Sequence, residues 1–295
     1  MSLARSFVVW TGVYRRLAWR AKLERLRAYG TAPRSFTALR YVAIDPELDN
    51  FTYDIANRGV LVRTLAEVLG VDRDLVEAYV AEADADPGLS RPTRGRPALW
   101  LRHKREIHPG RRLGWYVTAR VLKPELIIET GIHDGLGSRL LLLALRRNRA
   151  EGAPGELVSI DINDRSGALV EKDLRDHWRP VFGSTYDVLR PAVAGRKVGM
   201  LIHDSDHTYE CERFEFETAL ATASDPIALI SDNAHATSAL PDLAAERDLP
   251  YGYFHEEPRG HFYPGAGLGI AIAGSARAGN AAAGEAADAA TATPR

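Results

Sequence analysis

The fold of this chain is decided by the stretch Glu125-Leu-Ile-Ile-Glu-Thr-Gly-Ile-His-Asp-Gly-Leu-Gly-Ser138. Its apolar run is continuous and rich in β-branched residues, which is typical of a strand buried on both faces of a parallel sheet. A leucine-rich segment follows and predicts a helix that begins near Ser138. Between them lie Gly131, Gly135 and Gly137, whose missing side chains would let a ligand approach the backbone. The stretch therefore predicts a ligand loop at the carboxyl end of a central strand, where open α/β sheets bind ligands.

The composition favours a globular protein that binds a small molecule. Of the 295 residues 45% are hydrophobic, which is ample for one large core or two modest ones. The net charge of -1 gives no reason to expect nucleic acid or an anionic membrane as a partner. A single cysteine, Cys211, excludes an internal disulfide and, with no recognisable signal peptide, favours a cytoplasmic location. No apolar run reaches the roughly 20 residues that a membrane-spanning helix needs.

The N-terminal third predicts a helical cap. Residues 1–110 show apolar residues at helical spacing, such as Leu75, Val76 and Tyr79, and no persistent strand alternation. The helix that these three residues indicate is acidic. This argues against a DNA-binding helix-turn-helix, because a recognition helix must lie against phosphates. The segment 86–97 is rich in proline, glycine and arginine and predicts a linker or a lid. We therefore expect a domain boundary near it.

Residues 111–273 alternate between strands and helices, which predicts an α/β domain with a sheet covered on both faces. The predicted strands are Glu125–Glu129, Glu156–Asp161, Pro180–Phe182, Val198–His203, Ile227–Ser231, Tyr251–His255 and Leu268–Ala273. The predicted helices between them are Leu136–Arg147, Ser166–Asp176, Tyr186–Val193, Tyr209–Ala223 and Ala239–Arg247. The last two strands are joined by too short a connection for a helical crossover, so we expect them to be antiparallel. The alanine- and glycine-rich segment 274–295 predicts a disordered tail.

Polar residues follow the carboxyl ends of several predicted strands. Glu129 ends the first strand, and Asp161 ends the second, where an acid can bridge two ribose hydroxyls. Asp204 follows the fourth strand, and Asp232 and Asn233 follow the fifth. These last three offer only oxygen ligands, a set that selects magnesium, calcium or manganese over zinc. Each residue alone can equally be a turn or capping residue, but their concurrence beside a glycine loop favours a functional site.

Five motifs occur in a fixed order: Glu-Thr-Gly-x-x-x-Gly-x-x-Ser at 129–138, Ser-Ile-Asp-Ile-Asn at 159–163, Gly-Ser-Thr-Tyr-Asp at 183–187, Ile-His-Asp-Ser-Asp-His at 202–207 and Ser-Asp-Asn at 231–233. In order and spacing they resemble class I S-adenosylmethionine-dependent methyltransferases, and among these the metal-dependent, catechol O-methyltransferase-like enzymes. The fourth motif is most similar to bacterial natural-product and sugar enzymes of the macrocin O-methyltransferase and cephalosporin hydroxylase type. The resemblance spans residues 111–273.

The resemblance implies a Rossmann-like seven-stranded methyltransferase sheet with S-adenosylmethionine as cofactor. The residues it places on the cofactor are Glu129, Gly131 and Gly135 at the methionine part, Ser138 at its carboxylate, Asp161 at the ribose, and Ser184, Thr185 and Tyr186 at the adenine. It implies that Asp204, Asp232 and Asn233 hold a divalent cation, with Mg²⁺ first and Ca²⁺ or Mn²⁺ as alternatives.

The expected reaction is transfer of a methyl group to a hydroxyl whose proton is removed by a nearby base. Catechol-type enzymes carry a lysine as base after the first metal aspartate, and this chain has none there. Asp206 is therefore our first candidate for the base and His207 the second, and a catechol substrate is disfavoured. We expect a sugar, a glycosylated natural product or a phenol as acceptor. Its binding site is expected to be lined by residues 89–100 and 255–263.

Two alternatives remain open from the sequence. The first is a nicotinamide-dependent oxidoreductase on the same architecture, although the spacing Gly-x-x-x-Gly-x-Gly departs from the dinucleotide fingerprint. The second is a non-catalytic module that keeps the cofactor pocket. The sequence also leaves open whether the chain forms a homo-oligomer.

Overall fold

A computed structural model of the chain describes residues 53–90, 108–259, 263 and 265–274. The predictions for the segment before residue 53, for most of the linker and for the tail beyond residue 274 lie outside the described residues. Among the described residues no helix combines the length and apolarity needed to cross a membrane.

One seven-stranded sheet organises the described residues. Its strands are β1 (Leu126–Thr130), β2 (Glu156–Asp161), β3 (Trp178–Phe182), β4 (Val198–His203), β5 (Ala223–Asp232), β6 (Tyr251–His255) and β7 (Gly267–Ala273). Their order across the sheet is β3-β2-β1-β4-β5-β7-β6. The first five strands are parallel, and β7 pairs antiparallel with both β5 and β6. This confirms the predicted Rossmann-like α/β class and the antiparallel final pair.

The chain reverses its direction of travel across the sheet between β1 and β4. It moves outward through β2 and β3 and then returns to place β4 on the other side of β1. Such a switch point opens a crevice at the carboxyl ends of the two central strands, because their connections leave in opposite directions. The loops after Thr130 and His203 lie at this crevice.

Helices cover both faces of the sheet. They are α1 (Arg58–Leu69), α2 (Arg73–Ala85), α3 (Pro87–Ser90), α4 (Leu113–Leu122), α5 (Leu136–Ala150), α6 (Thr185–Val193), α7 (Tyr209–Leu220) and α8 (Ala239–Glu246), with 3₁₀ turns at Gly110–Arg112 and Lys172–His177. Successive residues of β1 face opposite sides, so Ile127 packs with α1, α2, α4 and α5 whereas Ile128 packs with α6, α7 and α8. The continuous apolar run of β1 reflects these two cores.

The predicted helix at Ser166–Asp176 is wrong. The segment is a loop that ends in the 3₁₀ turn Lys172–His177. Gly167 has a φ of 85°, and its amide donates to the His133 carbonyl while the Leu169 amide donates to the Asp134 carbonyl. These bonds tie the segment to the glycine loop, so tertiary contacts override the local helical pattern.

The described helices of the predicted cap share the core of the sheet domain. Leu61 and Leu65 of α1 are buried together with residues of α4 and α5. Arg120 of α4, only 1% exposed, pairs with Glu82 of α2 at 2.7 Å and with Glu151 at 2.5 Å. Removal of everything before residue 111 would therefore expose the core, which makes such a truncation unsuitable as a test of the cap.

Candidate active site

The glycines of the loop after β1 pack the loop against the protein. Gly131 has a φ of 87°, and a Cβ atom there would lie 1.9 Å from the Asp204 carbonyl oxygen. Gly135, with a φ of 88°, would place a Cβ atom 2.8 Å from the Cα of Gly167. We predicted that these glycines leave space for a ligand. In the structure they allow the loop to pack closely against neighbouring parts of the protein.

Asp161 holds the crest of this loop. One carboxylate oxygen accepts the backbone N–H groups of Ile132 and His133, both at 2.9 Å. The other oxygen accepts the N–H of Asn163 at 2.8 Å. The carboxylate therefore joins the end of β2 to the loop after β1, a role that the sequence alone did not indicate.

A cavity of about 720 Å³ lies at the carboxyl ends of β1, β2 and β4. It brings together five predicted cofactor residues, which are Gly131, Asp161, Ser184, Thr185 and Tyr186. The Thr185 hydroxyl is buried without a hydrogen-bond partner, whereas the Ile162 side chain is 84% exposed beside the cavity. The cavity thus combines an unused polar group with bare apolar surface, a mixture suited to an organic ligand.

Glu129 lies at the bottom of the site in a network of hydroxyls. One of its carboxylate oxygens accepts from Ser138 at 2.5 Å and from Ser159 at 2.6 Å, and Ser159 accepts from the Trp178 indole at 2.9 Å. Burial raises the pKa of Glu129 to about 8. Ser138, predicted to hold the carboxylate end of a cofactor, is instead fully buried and bonded to Glu129.

A second cavity of about 290 Å³ adjoins the first and shares Gly131, His133, Asp134 and Asp204 with it. Its other lining residues include Glu129, Arg111, Arg112, Asn233, Tyr53 and Tyr263. The two tyrosine rings lie 5.9 Å apart between centroids. Tyr53 comes from the N-terminal region, so this region forms part of the wall.

The predicted metal ligands do come together. Asn233 Nδ2 lies 3.4 Å from Asp204 Oδ1, and Asp204 and Asp232 both contact the guanidinium of Arg112 at 3.3 Å. Asp232 also forms a two-pronged salt bridge with Arg111, whose Nε and Nη2 lie 2.9 and 2.5 Å from its oxygens. The sequence identified the acids but missed the two arginines, which are the first residues of the predicted α/β domain.

The pKa values of Asp204 and Asp232 shift in opposite directions. Burial and the nearby charge of Asp232 raise the pKa of Asp204 to about 7. Burial also opposes ionisation of Asp232, but Arg111 and Arg112 outweigh it and lower the pKa of that carboxyl. Asp232 is thus the ionised partner of both arginines. Asp204 interacts less strongly with them and lies beside both cavities.

Arg111 is fixed in place by Glu256. This glutamate is fully buried and accepts from the Arg111 backbone N–H at 3.0 Å, from its guanidinium at 2.7 Å and from the Tyr53 hydroxyl at 2.9 Å. A Cβ atom on Gly110 would lie 3.0 Å from the same carboxylate, so glycine permits the close approach. Glu256, predicted to offer hydrogen bonds to an acceptor, is used inside the protein instead.

The residues at 204, 232 and 233 do not fit a divalent ion as they stand. Their side-chain oxygens already accept N–H groups from Arg111, Arg112 and Asn233. A cation would have to displace buried guanidinium groups that carry the same sign of charge. Within the part of the chain that the structure describes, no group of three or more His, Cys, Asp or Glu is arranged to hold a metal.

The two predicted bases occupy different places. Asp206 is exposed and lines the larger cavity. His207 Nε2 lies 2.9 Å from Asn233 Nδ2, which makes that ring nitrogen an acceptor and places the proton of the neutral ring on Nδ1. Burial and His203 lower the pKa of His207, which favours this neutral form. Neither residue lines the smaller cavity.

A buried ion pair supports the floor of the site. His203 Nδ1 lies 2.7 Å from Glu215, and both side chains are fully buried. Glu215 also accepts from Thr130 at 2.6 Å and from Ser205 at 2.8 Å. This network fixes the ends of β1 and β4 relative to α7, and nothing in the sequence indicates it beyond the polar residues themselves.

Comparison with known proteins agrees with this geometry. Residues 128–234 match a family model described as a methyltransferase domain. This segment is similar to a methyltransferase domain. It begins in β1 and includes the glycine loop, Asp161 and the cluster around Asp204. No curated protein gave a significant sequence match.

Solved structures share the fold of the α/β domain. The O-methyltransferase TomG from Streptomyces achromogenes, solved with S-adenosylmethionine and involved in tomaymycin synthesis, has a TM-score of 0.50 at 16% identity, covering 68% of this chain and 96% of that chain. A protein described as an O-methyltransferase from Klebsiella pneumoniae has a TM-score of 0.50 at 12% identity, covering 68% and 96%. At these identities the similarity establishes a shared fold.

Proposed function

We propose that this protein is an S-adenosylmethionine-dependent O-methyltransferase that acts on a hydroxyl of a small molecule. The single observation that carries the proposal is the pair of adjoining cavities at the switch point of a methyltransferase domain. One cavity has the volume and lining for an adenosyl group, and the other offers polar groups where an acceptor would meet the methyl group. The similar folds of two O-methyltransferases support the same reaction class.

In this proposal the larger cavity binds the nucleoside. Asp161 orders the loop and keeps one lone-pair site on Oδ1 for a ribose hydroxyl, while Ser184, Thr185 and Tyr186 surround the adenine. Gly131 lines both cavities and Glu129 lines the smaller one, and both face the methionine part. A cationic sulfonium and ammonium group suits this end, because a positive charge beside Glu129 would favour release of the proton that its raised pKa retains.

The reaction needs an acceptor oxygen in line with the methyl group and a group that takes its proton. The sulfur leaves as a neutral thioether, so no acid is required. Asp204 lines both cavities and is the best-placed proton acceptor, while His207 contacts it through Asn233. Asp206 lies on the cofactor side, which makes it the weaker of the candidate bases.

The acceptor is proposed to be a hydroxylated sugar, a glycosylated natural product or a phenol. Tyr53 and Tyr263 offer flat surfaces for such a molecule at the smaller cavity. Arg259, also predicted to line this site, reaches only toward Asp54 at 3.9 Å and is 65% exposed. Trp100, His261 and Phe262, predicted as acceptor contacts, lie outside the described residues.

A ligand panel tests this proposal. The full-length protein is heated with S-adenosylmethionine, S-adenosylhomocysteine or NAD, and its melting temperature is recorded. We expect the first two ligands to raise the melting temperature, because they bind only the folded state, and NAD to leave it unchanged. A shift with NAD alone would favour the oxidoreductase alternative.

A further inference from the structure

We propose that Arg111 and Arg112 together fill the position where a divalent cation would lie, so that this enzyme transfers methyl groups without a metal ion. This inference rests on the proposed function, since it concerns the same site. Its physical basis is that all five predicted ligand oxygens already accept N–H groups, four of them from Arg111 or Arg112.

Each of the five candidate oxygens accepts an N–H group. Asp232 Oδ1 accepts from Arg111 Nε at 2.9 Å, and its Oδ2 accepts from Arg111 at 2.5 Å and from Arg112 at 3.3 Å. Asp204 Oδ2 accepts from Arg112 at 3.3 Å, and its Oδ1 accepts from Asn233 at 3.4 Å. Asn233 Oδ1 accepts from Arg111 at 3.1 Å. Every oxygen of the set therefore already accepts a hydrogen bond from another side chain.

Two guanidinium groups already supply positive charge to the cluster. The carboxylates of Asp204, Asp232 and Glu256 face the guanidinium groups of Arg111 and Arg112, which stay ionised at any physiological pH. A divalent ion placed among them would lie beside two charges of its own sign in a poorly hydrated site. Displacement of an arginine is the alternative, and it would leave a buried charge without its partner.

Arg111 is held in place by the burial of its side chain and by Glu256. Its side chain is only 5% exposed, and Glu256 holds both its backbone N–H and its guanidinium. The preceding Gly110, with a φ of 58°, fixes the backbone where this double contact is possible. The local structure is thus built around a guanidinium at this position.

Arg112 is the member of the pair that keeps donors for an acceptor. Both arginines line the smaller cavity. All three guanidinium nitrogens of Arg111 are hydrogen-bonded, whereas only Nη2 of Arg112 bonds to described residues, so its Nε and Nη1 keep donors for a ligand. Its guanidinium lies 5.4 Å from the Trp115 ring, which restricts its orientation. These donors can stabilise the negative charge that grows on an acceptor oxygen as its proton passes to a carboxylate, the O–CH₃ bond forms and the S–CH₃ bond breaks with its electron pair moving to sulfur.

The test measures metal binding directly and needs no acceptor. Full-length protein saturated with S-adenosylhomocysteine is titrated with Mn²⁺, and free Mn²⁺ is followed by its electron paramagnetic resonance signal. We expect the signal to equal that of buffer, with no stoichiometric binding. One Mn²⁺ bound per chain, lost in Asp232→Asn, would overturn the proposal.

A variant shows whether the arginine stands in for a cation. Arg112→Gln removes one charge and leaves Arg111 in place to support the fold, and it should bind Mn²⁺ at concentrations at which the wild type binds none. Arg63→Gln, a change of the same kind on an exposed face of α1, should have no effect. Unchanged Mn²⁺ affinity in Arg112→Gln would contradict the replacement of a cation by this pair.

Calorimetry with S-adenosylhomocysteine on the same samples separates this inference from the proposed function. Weak Mn²⁺ binding together with normal cofactor binding supports both. Failure of the folded protein to bind S-adenosylhomocysteine would refute the proposed function, whereas tight Mn²⁺ binding with normal cofactor binding would refute only the role of the arginines.

Discussion

The substitution Asp161→Asn tests how the cofactor loop is held. The wild-type carboxylate accepts three backbone N–H groups, two on one oxygen from Ile132 and His133 and one on the other from Asn163. An asparagine offers only one oxygen. If that oxygen keeps the two loop bonds, the amide NH₂ group faces the N–H of Asn163 and that bond is lost. The variant should therefore fold normally but hold the loop less firmly.

The size of the effect follows from these bonds. A hydrogen bond to a charged group contributes about 1.5 to 3 kcal/mol, and one such bond of Asp161 disappears while two become neutral. Because each 1.4 kcal/mol is a factor of ten in affinity, we expect S-adenosylhomocysteine to bind roughly ten- to hundredfold more weakly. Asp161→Ala removes all three bonds and should reduce the affinity further.

Isothermal titration calorimetry measures this loss, with circular dichroism as a check of folding. The matched control is Asp164→Asn, which removes the same charge from an exposed position three residues along the same loop. The control should bind the cofactor like the wild type. Equal affinity in Asp161→Asn and the wild type would refute the role of this carboxylate in shaping the site.

Three further predictions concern the loop, the buried acid and the packing of the N-terminal helices. Gly131→Ala should lower the free energy of unfolding by at least about 2 kcal/mol in chemical denaturation, because the new Cβ would overlap the Asp204 carbonyl, and a change below about 0.5 kcal/mol would contradict the geometry. The free energy of unfolding of the wild type should fall relative to that of Glu129→Gln as the pH rises from about 5 to about 9. The reason is that the folded state holds the Glu129 proton up to a pKa of about 8, whereas the unfolded state releases it near 4.5. A difference between the two proteins that does not change with pH would refute the raised pKa. Arg120→Met should lower the free energy of unfolding by about 2 kcal/mol in the same denaturation assay. Glu82 and Glu151 lose their buried partner, but both remain partly exposed to water, which limits the loss. An unchanged denaturation midpoint would contradict the pairing.

The sheet was predictable because its signals are local. The run Leu126–Ile128 is apolar because both faces of β1 are covered, and the predicted bounds Glu156–Asp161, Val198–His203 and Tyr251–His255 coincide with β2, β4 and β6. The acidic residues at strand ends were also visible, since the topology of a parallel sheet places such ends at one edge.

The remaining features depend on contacts between distant parts of the chain. The segment 166–176 has a helical pattern, but backbone bonds to the glycine loop hold it open. Ser138 has the position of a ligand contact, yet a buried Glu129 takes its hydroxyl. Arg111 and Arg112 follow a linker and look like solvated charges in the sequence, and only the fold brings them to Asp232, about 120 residues away. Electrostatic partners of this kind leave no periodic signal.

The most direct test of the central claim is a calorimetric titration of the full-length protein with S-adenosylhomocysteine and, separately, with NAD, both in the presence of a metal chelator. The two-cavity site at the switch point of the sheet predicts one S-adenosylhomocysteine bound per chain and no heat from NAD. Binding of NAD, or no binding of S-adenosylhomocysteine by a folded sample, would contradict it.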